Sequence, residues 1–311
     1  MMERFGRWTM SILGKSLRDY LSFVRIGIVL VLVMGVLRFA MGLSGVPYEK
    51  ATHLVSLTVL GWILAVVYGH LARVLGFGSY RHLLPLSFVL AAAMYGFIIV
   101  AIVVEANAGF HGYFHAPGLG LMPGGMSAGQ HVIGQLLAML VTTLALWALA
   151  SLGFALSSHL GYLRNAFVFL AAIAVLRALV GALGVPYRWG TWPTSVTLLA
   201  LVLSFYYGYR APANGFNRYK HPIVIGSILA VFMSLLVVYG ILATAGLDVP
   251  SYFHSPGEGF QPAGISVSEH ALGHLRMAMP FAIVLLSLIA SIGFALGKKR
   301  TLSAVGQPAA T

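Results

Sequence analysis

Two loops of this chain carry histidines in the same arrangement. Residues 113–131 read YFHAPGLGLMPGGMSAGQH, and residues 252–270 read YFHSPGEGFQPAGISVSEH. In each loop one histidine follows an aromatic pair and a second closes the segment, which gives the four residues His115, His131, His254 and His270. Imidazole is a ligand for zinc, copper, nickel and iron ions, and also for the iron of haem. The chemistry indicated by these residues is therefore metal or haem binding.

The second histidine of each loop stands at the beginning of a helix. The patterns Ser-x-x-Gln at 127–130 and Ser-x-x-Glu at 266–269 precede apolar runs, and this order predicts a capping box. In the second copy His274 follows His270 by four residues, which places both side chains on one helix face. An i, i+4 histidine pair can present two imidazoles to one metal ion.

These histidines allow several arrangements. A symmetric ligand set draws on both loops and consists of His115, His131, His254 and His270. An asymmetric set uses the second loop alone and consists of His254, His270 and His274 with Glu258 or Glu269. In a purely structural interpretation, the imidazoles bond backbone carbonyls that the Gly/Pro turns leave unpaired. Substrate or quinone binding is a further alternative.

Arginines near the loops are the second group of predicted site residues. Arg38 and Arg177 lie five and six residues before the outer ends of predicted membrane spans, which is about 8–9 Å at 1.5 Å per residue. A charge inside a membrane is costly and indicates function, here bonding the outer loops or holding an anion, a quinone carbonyl or a haem propionate. The alternative is snorkelling to the headgroups. Together with Arg276, Glu258 and Glu269 they form the predicted ligand- or anion-binding set.

The composition places these loops in a membrane protein. The 311 residues are 59% hydrophobic and 8% charged, with a mean hydropathy of +0.90. A soluble domain carries roughly 25% charged residues, so this chain cannot cover a water-facing surface. Cysteine is absent, which excludes thiolate metal sites and cysteine nucleophiles. We assign the net charge of +12 to cytoplasmic loops and not to nucleic-acid binding.

Eight segments are apolar and long enough to be predicted as transmembrane helices, given the need for about 20 residues. They are 20–43, 51–75, 83–105, 130–157, 165–183, 194–209, 222–247 and 268–296. Lysine and arginine concentrate at the N-terminus, after every second span and in the tail. The positive-inside rule therefore predicts a cell (inner) membrane protein with both termini in the cytoplasm and both histidine loops outside.

The chain also repeats itself at a constant offset of 139 residues, since 252 − 113 = 139. VLRFAMGLSGVPY at 36–48 matches VLRALVGALGVPY at 175–187 in 8 of 13 positions, and the histidine loops, extended to 136 and 275, match in 12 of 24. The offset becomes 140 at Gly153 and Gly293. Four spans per repeat return the chain to its starting side, so both repeats have the same orientation.

The predicted architecture is an all-α integral membrane protein of eight transmembrane helices. Its two four-helix repeats are related by a pseudo-two-fold axis along the membrane normal. The predicted segments are a cytoplasmic interfacial segment at 1–18, repeat 1 at 19–158, repeat 2 at 159–297 and a cytoplasmic tail at 298–311.

The predicted function is a histidine-rich extracytoplasmic site that binds a metal ion or haem for redox chemistry or metal handling. The alternatives are a transporter or channel along the pseudo-two-fold axis, and a non-catalytic subunit whose outer loops dock an extracytoplasmic protein or other membrane subunits. No P-loop, GxSxG, HExxH or CxxCH motif occurs, so the sequence leaves enzymatic activity open. The lipid bilayer is the one partner that every alternative requires, and none involves nucleic acid.

Overall fold

A computed structural model describes residues 11–110, 112–118, 123–259 and 261–305. Residues 1–10 of the predicted interfacial segment and 306–311 of the predicted tail lie outside this part. The chain divides into two compact units, Met1–Leu160 and Gly161–Thr311. Apart from one antiparallel hairpin, Ser11–Ile12 with Lys15–Ser16, the regular structure of the described residues is helical.

The first unit is built from long helices. In chain order its helices are α1 (Leu17–Leu43), the short α2 (Tyr48–Leu54), α3 (Leu57–Val74), α4 (Tyr80–Ala108) and α5 (Ala128–Ala155). A short helix, α6 (Ser157–Tyr162), follows. Within the unit α5 packs against both α3 and α4, and α1 packs against α4.

The second unit has a similar order of elements. They are α7 (Arg164–Ala182), α8 (Tyr187–Gly190), α9 (Val196–Arg210), a 3-10 turn (Pro212–Asn214), α10 (Lys220–Gly246), α11 (Val267–Gly273), a π-helical turn (His274–Ala278) and α12 (Met279–Val305). Here α12 packs against both α9 and α10, and α7 packs against α10.

Seven helical segments of the described residues are long and apolar enough to cross a membrane. They are Leu17–Leu43, Leu57–Val74, Tyr80–Ala108, Ala128–Ala155, Arg164–Ala182, Lys220–Gly246 and Val267–Thr301. Many large apolar side chains on them stay exposed, for example Val141 at 70% and Val284 at 69%, as expected of surfaces that face lipid. The chain is thus an all-α, multi-pass membrane protein.

The predicted sixth span differs from the other seven. Its helix α9 has only 15 residues, or about 22 Å at 1.5 Å per residue, against a hydrocarbon core of about 30 Å. Pro193 lacks an amide hydrogen and Ser195 caps the helix by accepting from the amide of Leu198, so the helix begins late. The predicted second span is interrupted in the same way, since Ser56 caps α3 and separates it from α2.

The long helices of each unit approach closely at small residues. A Cβ on Gly69 of α3 would collide with the carbonyl of Ala150 in α5, and one on Gly208 of α9 would collide with the carbonyl of Ala290 in α12. Such small residues allow helix backbones to touch inside a membrane. The same contact occurs in both units, at offsets of 139 for the glycine and 140 for its partner.

A π-helical turn accounts for the change of offset. The offset is 139 at the second histidine of each loop and 140 at Gly153 and Gly293. Between these points α5 of the first unit is uninterrupted, whereas the second unit has the π-helical turn His274–Ala278. A π-turn holds one residue more than an α-turn. The extra residue of the second unit is therefore absorbed within this turn.

Candidate functional site

The predicted capping boxes are present at the ends of both histidine loops. The amide of Ser127 donates to Oε1 of Gln130 over 3.0 Å, and the Ser127 hydroxyl accepts from the Gln130 amide. The amide of Ser266 likewise donates to Oε2 of Glu269 over 3.0 Å. Each box places the second histidine of its loop in the first turn of a helix, as the sequence predicts.

The loops then fold back so that the two histidines of each unit meet. Nδ1 of His115 lies 3.4 Å from Nδ1 of His131. Nδ1 of His254 lies 3.1 Å from Nδ1 of His270. His131 and His270 are 8% and 9% exposed, and their loop partners are half-buried. Each unit therefore contains a partly shielded pair of facing imidazole nitrogens.

A third side chain follows each pair one helical turn later, and it differs between the units. In the first unit the side-chain amide nitrogen of Gln135 lies 2.9 Å from Nε2 of His131. In the second unit the imidazole of His274 lies with its centroid 5.1 Å from that of His270. Among the residues that the structure describes, no group of three or more His, Asp or Glu side chains is arranged to hold a metal ion.

The first loop rests on a buried carboxylate that the sequence-based site does not include. Glu105, near the end of α4, is 1% exposed, and its Oε2 accepts from the amides of Phe114 over 3.0 Å and His115 over 2.7 Å. In the described part of the chain, no hydrogen-bond partner of its buried Oε1 is found. A Cβ on Gly112 would collide with this carboxylate, so a larger residue at this position requires the Glu105 side chain to move.

The second loop has a different support at the equivalent positions. Residue 244 corresponds to residue 105, and residue 251 to residue 112. The hydroxyl of Ser251 donates to that of Thr244 over 2.8 Å and accepts from the amide of Phe253 over 3.2 Å. The pair of carboxylate and glycine is thus exchanged for a pair of hydroxyls. This exchange can be read from the sequence when the two halves of the chain are aligned at an offset of 139 residues.

The two membrane arginines bond the backbone around the loops. Arg38 donates from Nη1 to the carbonyl of Val55 over 2.6 Å, at the break between α2 and α3. Arg177 donates to the carbonyls of Thr191 over 3.2 Å and Tyr252 over 3.0 Å. Both guanidinium groups are half-buried. Of the roles predicted for these arginines, bonding the outer loops is the one that these contacts match.

Aromatic rings of the loops surround the same guanidinium groups. The Arg38 guanidinium carbon lies 5.8 Å and 5.9 Å from the ring centroids of Tyr113 and Phe114. The Arg177 carbon lies 5.7 Å and 5.4 Å from those of the corresponding residues, Tyr252 and Phe253. Cation–π attraction of this kind strengthens away from water. The aromatic pair before each first histidine therefore fixes the loop to an arginine.

The other predicted site residues lie away from the imidazole pairs or have another task. Glu258 and Arg276 are exposed. Glu269 is exposed as well, and its carboxylate is used in the capping box with Ser266. The structure brings none of these three side chains into a common site with the histidines.

The environment of the second loop favours a neutral imidazole. Burial lowers the pKa of His254 below its usual value of 6.5, because the charged form loses hydration. Metal ions bind the deprotonated nitrogen, so this shift supports coordination at neutral pH.

Comparison of the chain with protein families, curated proteins and solved structures found no match.

Proposed function

We propose that this membrane protein reversibly binds a transition-metal ion at its histidine loops. The observation that supports this is the separation of the Nδ1 atoms, 3.4 Å in the first unit and 3.1 Å in the second. Nitrogens bound about 2.0–2.1 Å from one ion lie roughly 3.4 Å apart in a tetrahedral site and roughly 2.9 Å apart at a right angle. Both pairs have the spacing of two ligands of one ion.

The same spacing also fits a hydrogen bond in which one imidazole donates and the other accepts. That alternative makes the pair a structural lock of the loop. The two functions differ by one proton, because a metal ion replaces the hydrogen between the nitrogens. Addition of metal to the purified protein therefore distinguishes them.

A metal ion fits the pairs better than haem does. Axial ligands stand on opposite sides of the haem iron, so bonds of about 2.0 Å would separate their nitrogens by roughly 4 Å, with the macrocycle between them. The facing nitrogens of both units are closer than this. We therefore propose an ion and not haem.

The ligand set favours metal handling over a permanent structural metal. Structural zinc sites are closed by four protein ligands, whereas each pair supplies two nitrogens and leaves positions for water or an exchanging ligand. Imidazole without thiolate or carboxylate suits zinc, copper and nickel. The proposed activity is thus reversible binding of such an ion.

We also propose eight spans in two repeats of the same orientation, with α9 as the short sixth span and both termini in the cytoplasm of an inner membrane. Recurrence of the imidazole pairs, arginine contacts and glycine contacts at offsets of 139–140 supports this arrangement. With eight spans both histidine loops lie outside. If α9 did not cross, the second loop would lie on the opposite side from the first.

The test is metal binding by the full chain in detergent. Chelator-treated protein is titrated with Zn²⁺ or Cu²⁺, desalted and subjected to elemental analysis. We expect bound metal in the wild type and at least a tenfold loss of affinity when all four loop histidines are changed to alanine. A wild type that retains no more metal than this variant would overturn the proposal, and a Soret band would indicate haem instead.

The matched control changes two histidines that also lie 139 residues apart. They stand at the beginnings of α4 and α10, whereas the histidine loops follow the ends of these helices. His82→Gln and His221→Gln together remove two imidazoles outside the loops. Glutamine at the third helical position preserves the capping box that His82 forms with Ser79. This double variant is expected to bind metal as the wild type does.

A further inference from the structure

We infer that the two histidine loops have different tasks: the loop of the second unit takes the metal ion, and the loop of the first unit is a lock closed by its own side chains. This inference rests on the proposed function and assigns it to one loop. It is carried by the hydrogen bonds of the first pair, by the residue that replaces Gln135 and by the π-helical turn.

In the first unit the imidazoles form part of a complete hydrogen-bond chain. An amide nitrogen can only donate, so Gln135 donates to Nε2 of His131 over 2.9 Å. With the carboxamide in this orientation the proton of His131 is on Nδ1, which then donates to Nδ1 of His115 over 3.4 Å. Both nitrogens of His131 are engaged. A metal ion at Nδ1 would have to displace this proton, and the Gln135 carboxamide would have to turn its oxygen towards Nε2.

In the second unit the residue that would close the chain is replaced by another histidine. His274 occupies the position of Gln135, since 135 + 139 = 274, and its ring centroid lies 5.1 Å from that of His270. Imidazole can donate or accept, so nothing equivalent to the amide assigns the proton of the pair. His274 thus adds a third imidazole beside His270, where the first unit has a carboxamide beside His131.

The backbone departs from regular helix at the same residue. The π-helical turn begins at His274, whose carbonyl accepts from the amide of Met279. Single π-turns inside α-helices occur frequently at functional sites. The first unit has the same packing below this point without the turn. The extra residue is therefore not needed for packing, and its position at the third histidine supports a role in the site.

Negative charge near the first loop would favour a metal ion in the first unit, contrary to this inference, but it does not act on the imidazoles directly. The first unit has a buried carboxylate beneath its loop, Glu105, where the second unit has Thr244, and this carboxylate could favour a cation there. Its Oε2 is occupied by the amides of Phe114 and His115, and its Oε1 faces Gly112. Its hydrogen bonds hold the loop backbone, so it contributes to the lock and supplies no ligand to the pair.

Stoichiometry and a reciprocal exchange of residues test the inference. Chelator-treated full-length protein is titrated with Zn²⁺ and its bound zinc is counted. We expect one ion per wild-type chain. His274→Gln, which introduces the residue of the first loop, should weaken binding at least tenfold. Gln135→His should add a second ion, because it removes the amide that closes the first pair.

Loop-specific variants serve as matched controls. His115→Ala with His131→Ala should leave the ion bound, and His254→Ala with His270→Ala should remove it. Glutamine is the natural occupant of position 135, so His274→Gln should fold, which a thermal unfolding curve of each variant verifies. Two equivalent ions, or an ion lost with the first pair, would overturn the inference and leave the proposed function standing. A wild type without zinc or copper would instead overturn the proposed function.

Discussion

The carboxylate of Glu105 accepts the backbone amide of His115 over 2.7 Å. This contact joins the end of α4 to the residue that begins the first imidazole pair. Hydrogen bonds to a charged acceptor contribute about 1.5–3 kcal/mol, and a buried amide left without one costs a similar amount. Removing the hydrogen bonds that hold a loop should therefore lower the free energy of unfolding of its unit measurably.

The first prediction concerns the exchange of Glu105 and Gly112 for threonine and serine. Glu105→Thr alone should destabilise the protein by about 2–3 kcal/mol, since two buried amides lose their acceptor. Gly112→Ser alone should also destabilise it, because its Cβ meets the carboxylate. The double variant reproduces the arrangement of Thr244 and Ser251 and should be more stable than the sum of the single effects. Thermal unfolding in detergent measures the cycle, and strictly additive effects would contradict the exchange.

The second prediction concerns Arg177. Lysine keeps the charge but cannot donate to several carbonyls from one planar group. Arg177→Lys should therefore lower stability by roughly 1–3 kcal/mol, as expected for lost hydrogen bonds from a charged donor. Arg164→Lys, at an exposed position on the same helix, is the control and should change little. Equal effects of the two substitutions would show that the carbonyl bonds of Arg177 do not hold the loop.

The third prediction is a pH dependence. The folded protein lowers the pKa of His254 below 6.5, so the unfolded chain binds more protons when the pH falls below that value. Stability should consequently decrease as the pH falls through about 6.5 and towards the lowered pKa. The facing His270 is expected to enhance the effect, since two charged imidazoles 3.1 Å apart would repel each other. Melting temperatures between pH 8 and pH 5 should fall less steeply for His254→Asn than for the wild type.

The fourth prediction concerns sidedness and uses the absence of cysteine from the chain. Gly124→Cys and Glu258→Cys place single thiols at exposed positions of the two histidine loops. With eight spans both should react with a membrane-impermeant maleimide in intact cells, whereas the exposed Arg218→Cys should react only after lysis. Labelling of Gly124→Cys but not of Glu258→Cys in intact cells would mean that α9 does not cross the membrane.

Much of the local structure could be predicted from the sequence. The capping boxes are observed, and seven of the eight predicted apolar spans correspond to described helices long and apolar enough to cross a membrane, because hydropathy and side-chain caps act over a few residues. The sixth span is shorter than a membrane helix needs, and Pro193 and Ser195 are the local signals that mark its late beginning. The change of offset from 139 to 140 at Gly293 likewise shows that the second unit has one extra residue. Only the structure locates this residue in a π-helical turn.

The sequence by itself determined that this is a membrane protein, where the helices that follow the two loops begin, and that these loops carry paired histidines. Only the tertiary structure decided which nitrogens face each other, that Arg38 and Arg177 bond backbone carbonyls, and that Glu105 supports one loop while Thr244 and Ser251 support the other. The physical reason is range. Caps and hydropathy depend on neighbours along the chain, whereas these contacts join residues 7 to 75 positions apart and depend on how the helices pack.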